Sequence, residues 1–293
     1  MPEHGNPSVR RRRLAAELRR LRERAGFTGE QVAERLGWSG SKVSRIETTK
    51  LGVKEADLRL LLELYRVGEP RRSEVLALAR EPAKPASVDN AAIAAYAAGY
   101  AEFAYAEAEA TSIWNWEPQI MPGLLQTESY AREVIRGWFT MFSLPPAELE
   151  ARVAARMSRR QLLTRDQPPN FSAVIDESVI HRRFGDNAVM RQQLDRLAES
   201  SELPNVEIHV LRLDGDHPIG TGSFAYMQFA QVHDVPLHDI VAVEQLASNY
   251  YIEDASDTHK YRVAFERLKA DSLDPAQSRD LIRTTARDIW SRG

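Results

Sequence analysis

Between residues 39 and 50 the chain gathers hydrogen-bond donors, Ser39, Ser41, Lys42, Ser44, Arg45, Thr48, Thr49 and Lys50, interrupted by the apolar Val43 and Ile46. In a helix, Val43 and Ile46 share one face, while Ser41, Lys42, Ser44 and Arg45 lie mostly off it. Such a helix buries little and exposes donors. Hydroxyl, ammonium and guanidinium groups are the natural complement of phosphate oxygens and base edges.

No comparable set is legible in the rest of the chain. The seven histidines are His4, His181, His209, His217, His233, His238 and His259, and none sits in an H-E-x-x-H or other metal-ligand spacing. Gly215, Gly220 and Gly222 lie near Ser223, but no Lys follows as in a phosphate-binding loop and no G-x-S-x-G elbow exists, so a hairpin or loop is expected. Asp176, Glu177, His181, His209 and Glu244 fall at or near strand-like segments, and an acid/base site is conceivable if they converge. The absence of cysteine excludes thiol nucleophiles, Cys zinc sites and disulfide scaffolds. With no nucleophile and base pair to be read, neither an enzyme nor a metal or cofactor is expected. The aromatic segments Trp114-Asn115-Trp116, Trp138-Phe139, Tyr250-Tyr251 and Tyr261 read as core, or as the lining of an effector pocket or partner groove.

A chain of 293 residues with 43% apolar content can bury a core and is expected to form two domains. The net charge of -3 conceals an asymmetry. Residues 1 to 85 hold 19 Lys and Arg against 12 Asp and Glu, a balance of +7, whereas the remainder holds 20 against 30, a balance of -10. A basic head meets a polyanion, and an acidic body meets something else. The longest uncharged apolar stretch, Ala91 to Ala101, is well short of the roughly 18 residues of a membrane helix, so no membrane span is expected. Behind Arg10 to Arg13 there is no long apolar region and no small-residue cleavage site, which points to a cytoplasmic protein.

The donors need elements to hold them. Leu14, Leu18, Leu21 and Ala25 recur at helical spacing and Gly26 closes that helix. Thr28 with Gln31 forms a capping box for a short helix burying Val32, Ala33 and Leu36, ended by Gly37. Ser39 is placed to cap the donor-bearing helix. A fourth helix from about Lys54 carries Leu58, Leu61, Leu62 and Tyr65, and Pro70 opens a fifth with Val75, Leu76 and Ala79. Two short helices joined by Gly37-Trp38-Ser39, the second exposing donors at its start, are the layout of a helix-turn-helix.

The run Leu18 to Arg22, Thr28 to Gly37, then Ser41 to Glu47 resembles the lambda-repressor-like (XRE) helix-turn-helix domain of transcriptional regulators, over nearly all of residues 10 to 68. The resemblance implies double-stranded DNA as partner. It places Ser41, Lys42 and Arg45 at base edges, with Ser39, Ser44, Thr48, Thr49 and Lys50 near the backbone; Thr28 and Gly40 complete the expected DNA-binding set. Gly29 and Gly40 stand where that family often has a phosphate-binding Gln and a polar reader, and Thr48-Thr49 replaces its common Asn-Gly.

Residues 81 to 90, with Pro82, Pro85 and Ser87, read as a short linker between a helix-turn-helix domain over 1–80 and a second domain over 91–293. Ile93, Tyr96, Tyr100 and Phe103 form a heptad-like stripe, suited either to a dimer helix or to packing within its own domain. Phe171 to Ile175, Val206 to Leu211, Phe224 to Phe229 and Ile240 to Val243 have strand character. Helical patterns cover Ala147 to Leu163, Asn187 to Ser200, Thr258 to Lys269 and Ala276 to Trp290. The expectation is an all-α head of about five helices and an α+β body with a small mixed sheet and a helical C-terminus.

The body carries Ala108-Glu109-Ala110-Thr111, Trp116-Glu117-Pro118, Pro122-Gly123-Leu124-Leu125-Gln126-Thr127 with Tyr130-Ala131, Asp176-Glu177-Ser178 and Gly222-Ser223-Phe224. Over about Tyr96 to Arg287 these resemble the C-terminal domain attached to helix-turn-helix modules in actinobacterial regulators, antitoxin-like proteins of the WhiJ type whose genes commonly neighbour one for a small partner protein. The resemblance implies a regulator and supplies no mechanism for the body; the expectation from the sequence as a whole is a homodimeric transcriptional regulator whose acidic body binds a small partner protein or a small-molecule effector. Two rivals belong to other classes: an antitoxin-like interaction protein that neutralises its partner and autoregulates, and a DNA-tethered enzyme.

Overall fold

The computed structural model describes residues 9–49, 51–79, 100–142, 145–230, 239–245 and 249–291, and these divide into two compact units. The expected linker over 81–90, Lys50, and Ile93 and Tyr96 of the aromatic stripe lie outside the described residues.

The first unit is built from five helices, α1 (Val9–Arg24), α2 (Gly29–Leu36), α3 (Gly40–Glu47), α4 (Glu55–Leu64) and α5 (Arg71–Ala79). Leu14, Leu18 and Leu21 of α1 meet Val32, Val43, Ile46, Leu58, Leu61, Leu62 and Val75 in one buried cluster. A fully buried Leu or Ile is worth ~1.5 to 3 kcal/mol, so these few side chains hold the helices together. One acid joins that core: Glu17, fully buried on α1, accepts from Arg20 at 2.9 and 3.0 Å and from Arg71 of α5 at 3.0 Å.

The second unit is a six-stranded mixed sheet with helices around it. Its strands are β1 (Ser112–Glu117), β2 (Asn170–Asp176), β3 (Val206–Leu211), β4 (Phe224–Gln228), β5 (Ile240–Glu244) and β6 (Asn249–Ile252), in the spatial order β3-β2-β1-β4-β5-β6. β1, β2 and β3 run parallel, and β4, β5 and β6 continue from β1 antiparallel. β2 and β3 are buried almost throughout, as strands of a parallel region are when both faces are covered.

Around the sheet lie α6 (Tyr100–Glu109), α7 (Glu128–Phe142), α8 (Pro146–Arg159), α9 (Glu177–His181), α10 (Asn187–Ser200), α11 (Ala255–Ala270) and α12 (Pro275–Asp288), with 3-10 turns at Gly123–Leu125 and Arg160–Leu163. Phe265 and Leu268 of α11 pack on Trp116, Val174, Phe224, Tyr226 and Val241. The turn into α12 covers the outer edge of β3: the Leu273 N–H donates to the Val210 carbonyl, and the Val210 N–H donates to Ser278 Oγ. Gln193 of α10 ties the Pro122–Thr127 segment down, accepting from the Thr127 N–H at 2.7 Å and donating to the Leu125 carbonyl at 3.0 Å.

Three local expectations change. Ser39 stands at the start of α3 in extended conformation but makes no capping bond, because its hydroxyl lies 3.5 Å from that of Ser41. The expected helix to Leu163 tightens into a 3-10 turn after Arg159. The last helix ends at Asp288 rather than Trp290, whose indole N–H instead donates to the Ile180 carbonyl at 3.0 Å.

Candidate nucleic-acid interface

Local chemistry fixes the angle between α2 and α3. The Thr28 N–H donates to Gln31 Oε1 at 2.9 Å and Thr28 Oγ1 accepts from the Gln31 N–H at 3.2 Å, satisfying donors that the first helical turn leaves open. Gly37 ends α2 at φ +66°, a left-handed conformation that any Cβ would strain. α3 then turns Val43 and Ile46 into the core and leaves Gly40, Ser41, Ser44 and Arg45 exposed.

The far end of α3 is clamped. Arg22 of α1 donates to both carboxylate oxygens of Glu47, at 2.7 and 2.9 Å, and to the Phe27 carbonyl at 2.8 Å. The bonded Glu47 pushes the Arg22 guanidinium above its ordinary value, so the guanidinium stays charged at any physiological pH. Just past α3, Thr49 sits at φ +61°, a conformation costing a non-glycine residue roughly 1 to 2 kcal/mol. Its hydroxyl and that of Thr48 are turned onto chain carbonyls, of Thr48 and Ser44 respectively, both at 2.7 Å.

The base-edge candidates differ in how free they are. Arg45 has no ion-pair partner among the described residues. Lys42 is held, with Nζ 2.9 Å from Asp57 of α4 and 3.7 Å from the centre of the Trp38 ring, so reaching a base means giving up both contacts. Gly29 and Gly40 open α2 and α3 on either side of a cleft that Thr28, Ser44 and Thr48 also line. A Cβ at Gly40 would meet nothing within 4 Å, and one at Gly29 would meet only Val43 Cγ1 at 3.9 Å. The glycines therefore leave helix-start backbone uncovered, where N–H groups favour an anion.

The acid/base candidates of the body are dispersed into separate pairings. Asp176 accepts from the Ser178 N–H at 2.9 Å, capping α9, and lies 3.2 Å from His217 Nε2. Glu177 accepts from the Leu213 N–H at 2.9 Å and stands 3.6 Å from His181. Burial pushes the His209 imidazole below its ordinary pKa, so its neutral ring donates from Nδ1 to the Leu273 carbonyl at 3.0 Å. Among the described residues no group of three or more His, Asp or Glu is arranged to hold a metal, and no helix is long and apolar enough to cross a membrane. Trp114 is half-buried against the core, stacked on Tyr226 and Phe265 at 5.1 and 5.3 Å, whereas Tyr250 is exposed. The side chains of Trp138 and Phe139 lie outside the described residues.

Glu244, the fifth candidate, meets a residue not singled out as an acid from the sequence. Burial first, and the charge of Glu244 second, push the Glu117 carboxyl up to about 8 from its ordinary 4.5. The folded chain then keeps a proton on Glu117 that the unfolded chain loses near its ordinary value, so stability falls as pH rises from about 4.5 and the loss is complete above about 8. Glu117→Gln removes that dependence. Each pH unit between the two values is worth about 1.4 kcal/mol, discounted for partial exposure, so the variant is expected to be ~1 to 3 kcal/mol more stable than the parent at pH about 8.5 and to converge with it near pH 5. Denaturant melts across this range check it; parallel pH profiles for the two proteins would refute it.

The family described as "Helix-turn-helix domain" matches residues 13–75. The family described as "Domain of unknown function (DUF5753)" matches residues 100–284. No curated protein and no solved structure matches the chain. The first match covers most of the five-helix unit, with its outward-facing α3, and the second covers most of the sheet unit and more than half of the chain. By that coverage the chain belongs to the DUF5753 family, and carries a helix-turn-helix domain ahead of the domain that defines it.

Proposed function

We propose that the protein is a sequence-specific, cytoplasmic transcriptional regulator that binds double-stranded DNA as a homodimer and whose second unit binds a small partner protein or an effector. The observation that carries the DNA reading is α3 itself: two apolar anchors inside, Ser41, Ser44 and Arg45 outside, and Arg45 unpaired among the described residues. The matching helix-turn-helix family supports a DNA-binding regulator in general. The finer WhiJ-type, antitoxin-like reading rests on the motifs of the body and its balance of -10. On this reading the body binds rather than catalyses.

Arg45→Ala tests the assignment of reader. A groove-facing guanidinium binds guanine through two hydrogen bonds, so the variant is expected to lose ~1 to 3 kcal/mol of discrimination between operator and random DNA with its fold unchanged. Operators come from selection on random DNA, and affinities from titration at fixed salt. Equal losses on both DNAs would reassign Arg45 to a phosphate.

A further inference from the structure

The start of the parallel strands leaves a hollow on the face that α11 covers. Trp114 on β1, Ser172 on β2 and Glu207 on β3 stand side by side, one from each strand. Two residues further along, Trp116 and Val174 are buried beneath Phe265 and Leu268 of α11. Between the first three residues and the last turn of α11, from Phe265 to Lys269, that close packing gives way to a cavity of about 340 Å³, within the range of small-molecule sites. Pro204 and Asn205, from the turn before β3, also line it.

One residue of this hollow is out of place in a protein interior. Ser172 is 8% exposed, yet its hydroxyl has no hydrogen-bond partner among the described residues. An enclosed hydroxyl left unbonded costs stability that an alanine at the same place does not. Beside it the half-buried Trp114 is held by its stacking on Tyr226 and Phe265, and its indole N–H has no acceptor among the described residues. Asn205 is held too: its Nδ2 donates to the carbonyls of Leu163 and Pro169, at 3.2 and 3.1 Å, which leaves Oδ1 as a fixed acceptor.

The charges around the hollow are already matched. Lys269 bonds to Glu207 and holds its carboxyl below the ordinary value, and Glu266 stands 3.5 Å from Arg262. An ionic ligand therefore finds no free counter-charge among the described lining residues, whereas a hydroxyl, which both donates and accepts, suits Ser172, Trp114 and Asn205 alike. Pro204 and Phe265 offer a carbon skeleton apolar surface to lie against.

We propose that this cavity binds a neutral sugar, its hydroxyls bonded to Ser172, the Trp114 indole N–H and Asn205, and its C–H faces laid against Pro204 and Phe265. A sugar site deepens the reading of the second unit as an effector-binding domain and rests on that reading for any effect on DNA.

The experiment is calorimetric titration of the full chain with D-glucose, D-galactose and maltose, and with glucosamine and glucuronate at pH about 6 as cationic and anionic controls of the same ring. At least one of the three neutral sugars is expected to bind below about 10 mM, and more tightly than either charged control. Ser172→Ala is expected to weaken that sugar at least about 3-fold, within the usual worth of one hydrogen bond, while melting no lower than the parent. Trp114→Phe, which keeps a ring in the stack and removes the N–H, is expected to weaken it as well. No binding by any of the three sugars, a charged control that binds as tightly, or full affinity in Ser172→Ala would each overturn the proposal. A Ser172→Ala protein that melts clearly lower would overturn it too, by showing that the hydroxyl already has a partner. Operator affinity without any sugar, measured on the same preparation, tests the regulator reading separately; a sugar that binds without changing that affinity upholds the site and removes only its role as a DNA signal.

Discussion

Arg159→Met is expected to cost the second unit about 3 to 5 kcal/mol, a fall in its melting temperature of roughly 6 to 20 °C. Arg159 ends α8 and is 4% exposed; it donates to both oxygens of Glu107 on α6, at 2.6 and 2.7 Å, with Glu107 3% exposed. The guanidinium also lies 4.9 Å from the centre of the Phe103 ring. Methionine keeps most of the side-chain volume and removes the charge, so the dominant loss is a carboxylate left buried with its counter-charge gone. That cause makes a second, sharper forecast. Exchanging both partners for apolar residues, Glu107→Met with Arg159→Met, should restore much of the lost stability, because an apolar pair of similar volume has no charge to desolvate. The four proteins form a double-mutant cycle. A single variant losing less than about 1 kcal/mol, or a double variant as unstable as the two losses added, would show that the pair does not hold α6 to α8.

This buried pair could not have been read from the sequence, and the reason divides legible features from hidden ones. The first unit is made of contacts close along the chain. Caps such as Thr28 with Gln31, the left-handed Gly37 and the Leu58-Leu61-Leu62 stripe each announce themselves within a few residues, and all are found where the spacing puts them. In the second unit α10 shows the same legibility, running from Asn187 to Ser200 between Asp186 as cap and Ser201, as its periodicity predicts. β1 did not read as a strand, because the buried Asn115 interrupts its apolar run and its tryptophans suggest a cluster instead. β6 and α7 were also missed: β6 is only four residues long and none of them is fully buried, and α7 follows directly on the Pro122–Thr127 segment, with no strong stop between them.

The central place of β1 decides what else was hidden. Because β1 joins the parallel half of the sheet to the antiparallel half, the meeting of Glu117 with Glu244 depends on two successive strand registers. Neither carboxylate carries a local signal of the other. The same non-locality separates the five acid/base candidates: Asp176 and Glu177 close the parallel end near His217 and His181, while Glu244 belongs to β5. Sequence proximity to a strand named the residues correctly as polar groups at strands, but only the order of the strands says which of them face one another.

Removing the second unit is expected to weaken operator binding by about 10²- to 10⁴-fold while leaving the head folded. Residues 1–85 contain their own core of Leu14, Leu18, Leu58, Leu61 and Leu62 with the buried Glu17 and Arg71 pair, so the fragment should melt cooperatively. It presents a single α3, and one helix-turn-helix covers one half-site. In a homodimer the second head binds at the effective concentration set by its tether, which raises avidity without any new contact. Salt dependence separates this from a mere loss of stability. Each neutralised phosphate adds about 0.9 to the slope of log affinity against log salt, so the full chain should show close to twice the slope of the fragment on a two-half-site operator, and the same slope on a single half-site. A full chain that binds no tighter and no more steeply than residues 1–85 would exclude dimerisation through the second unit. In that case its 30 acidic and 20 basic side chains after residue 85 would have to serve partner or effector binding alone.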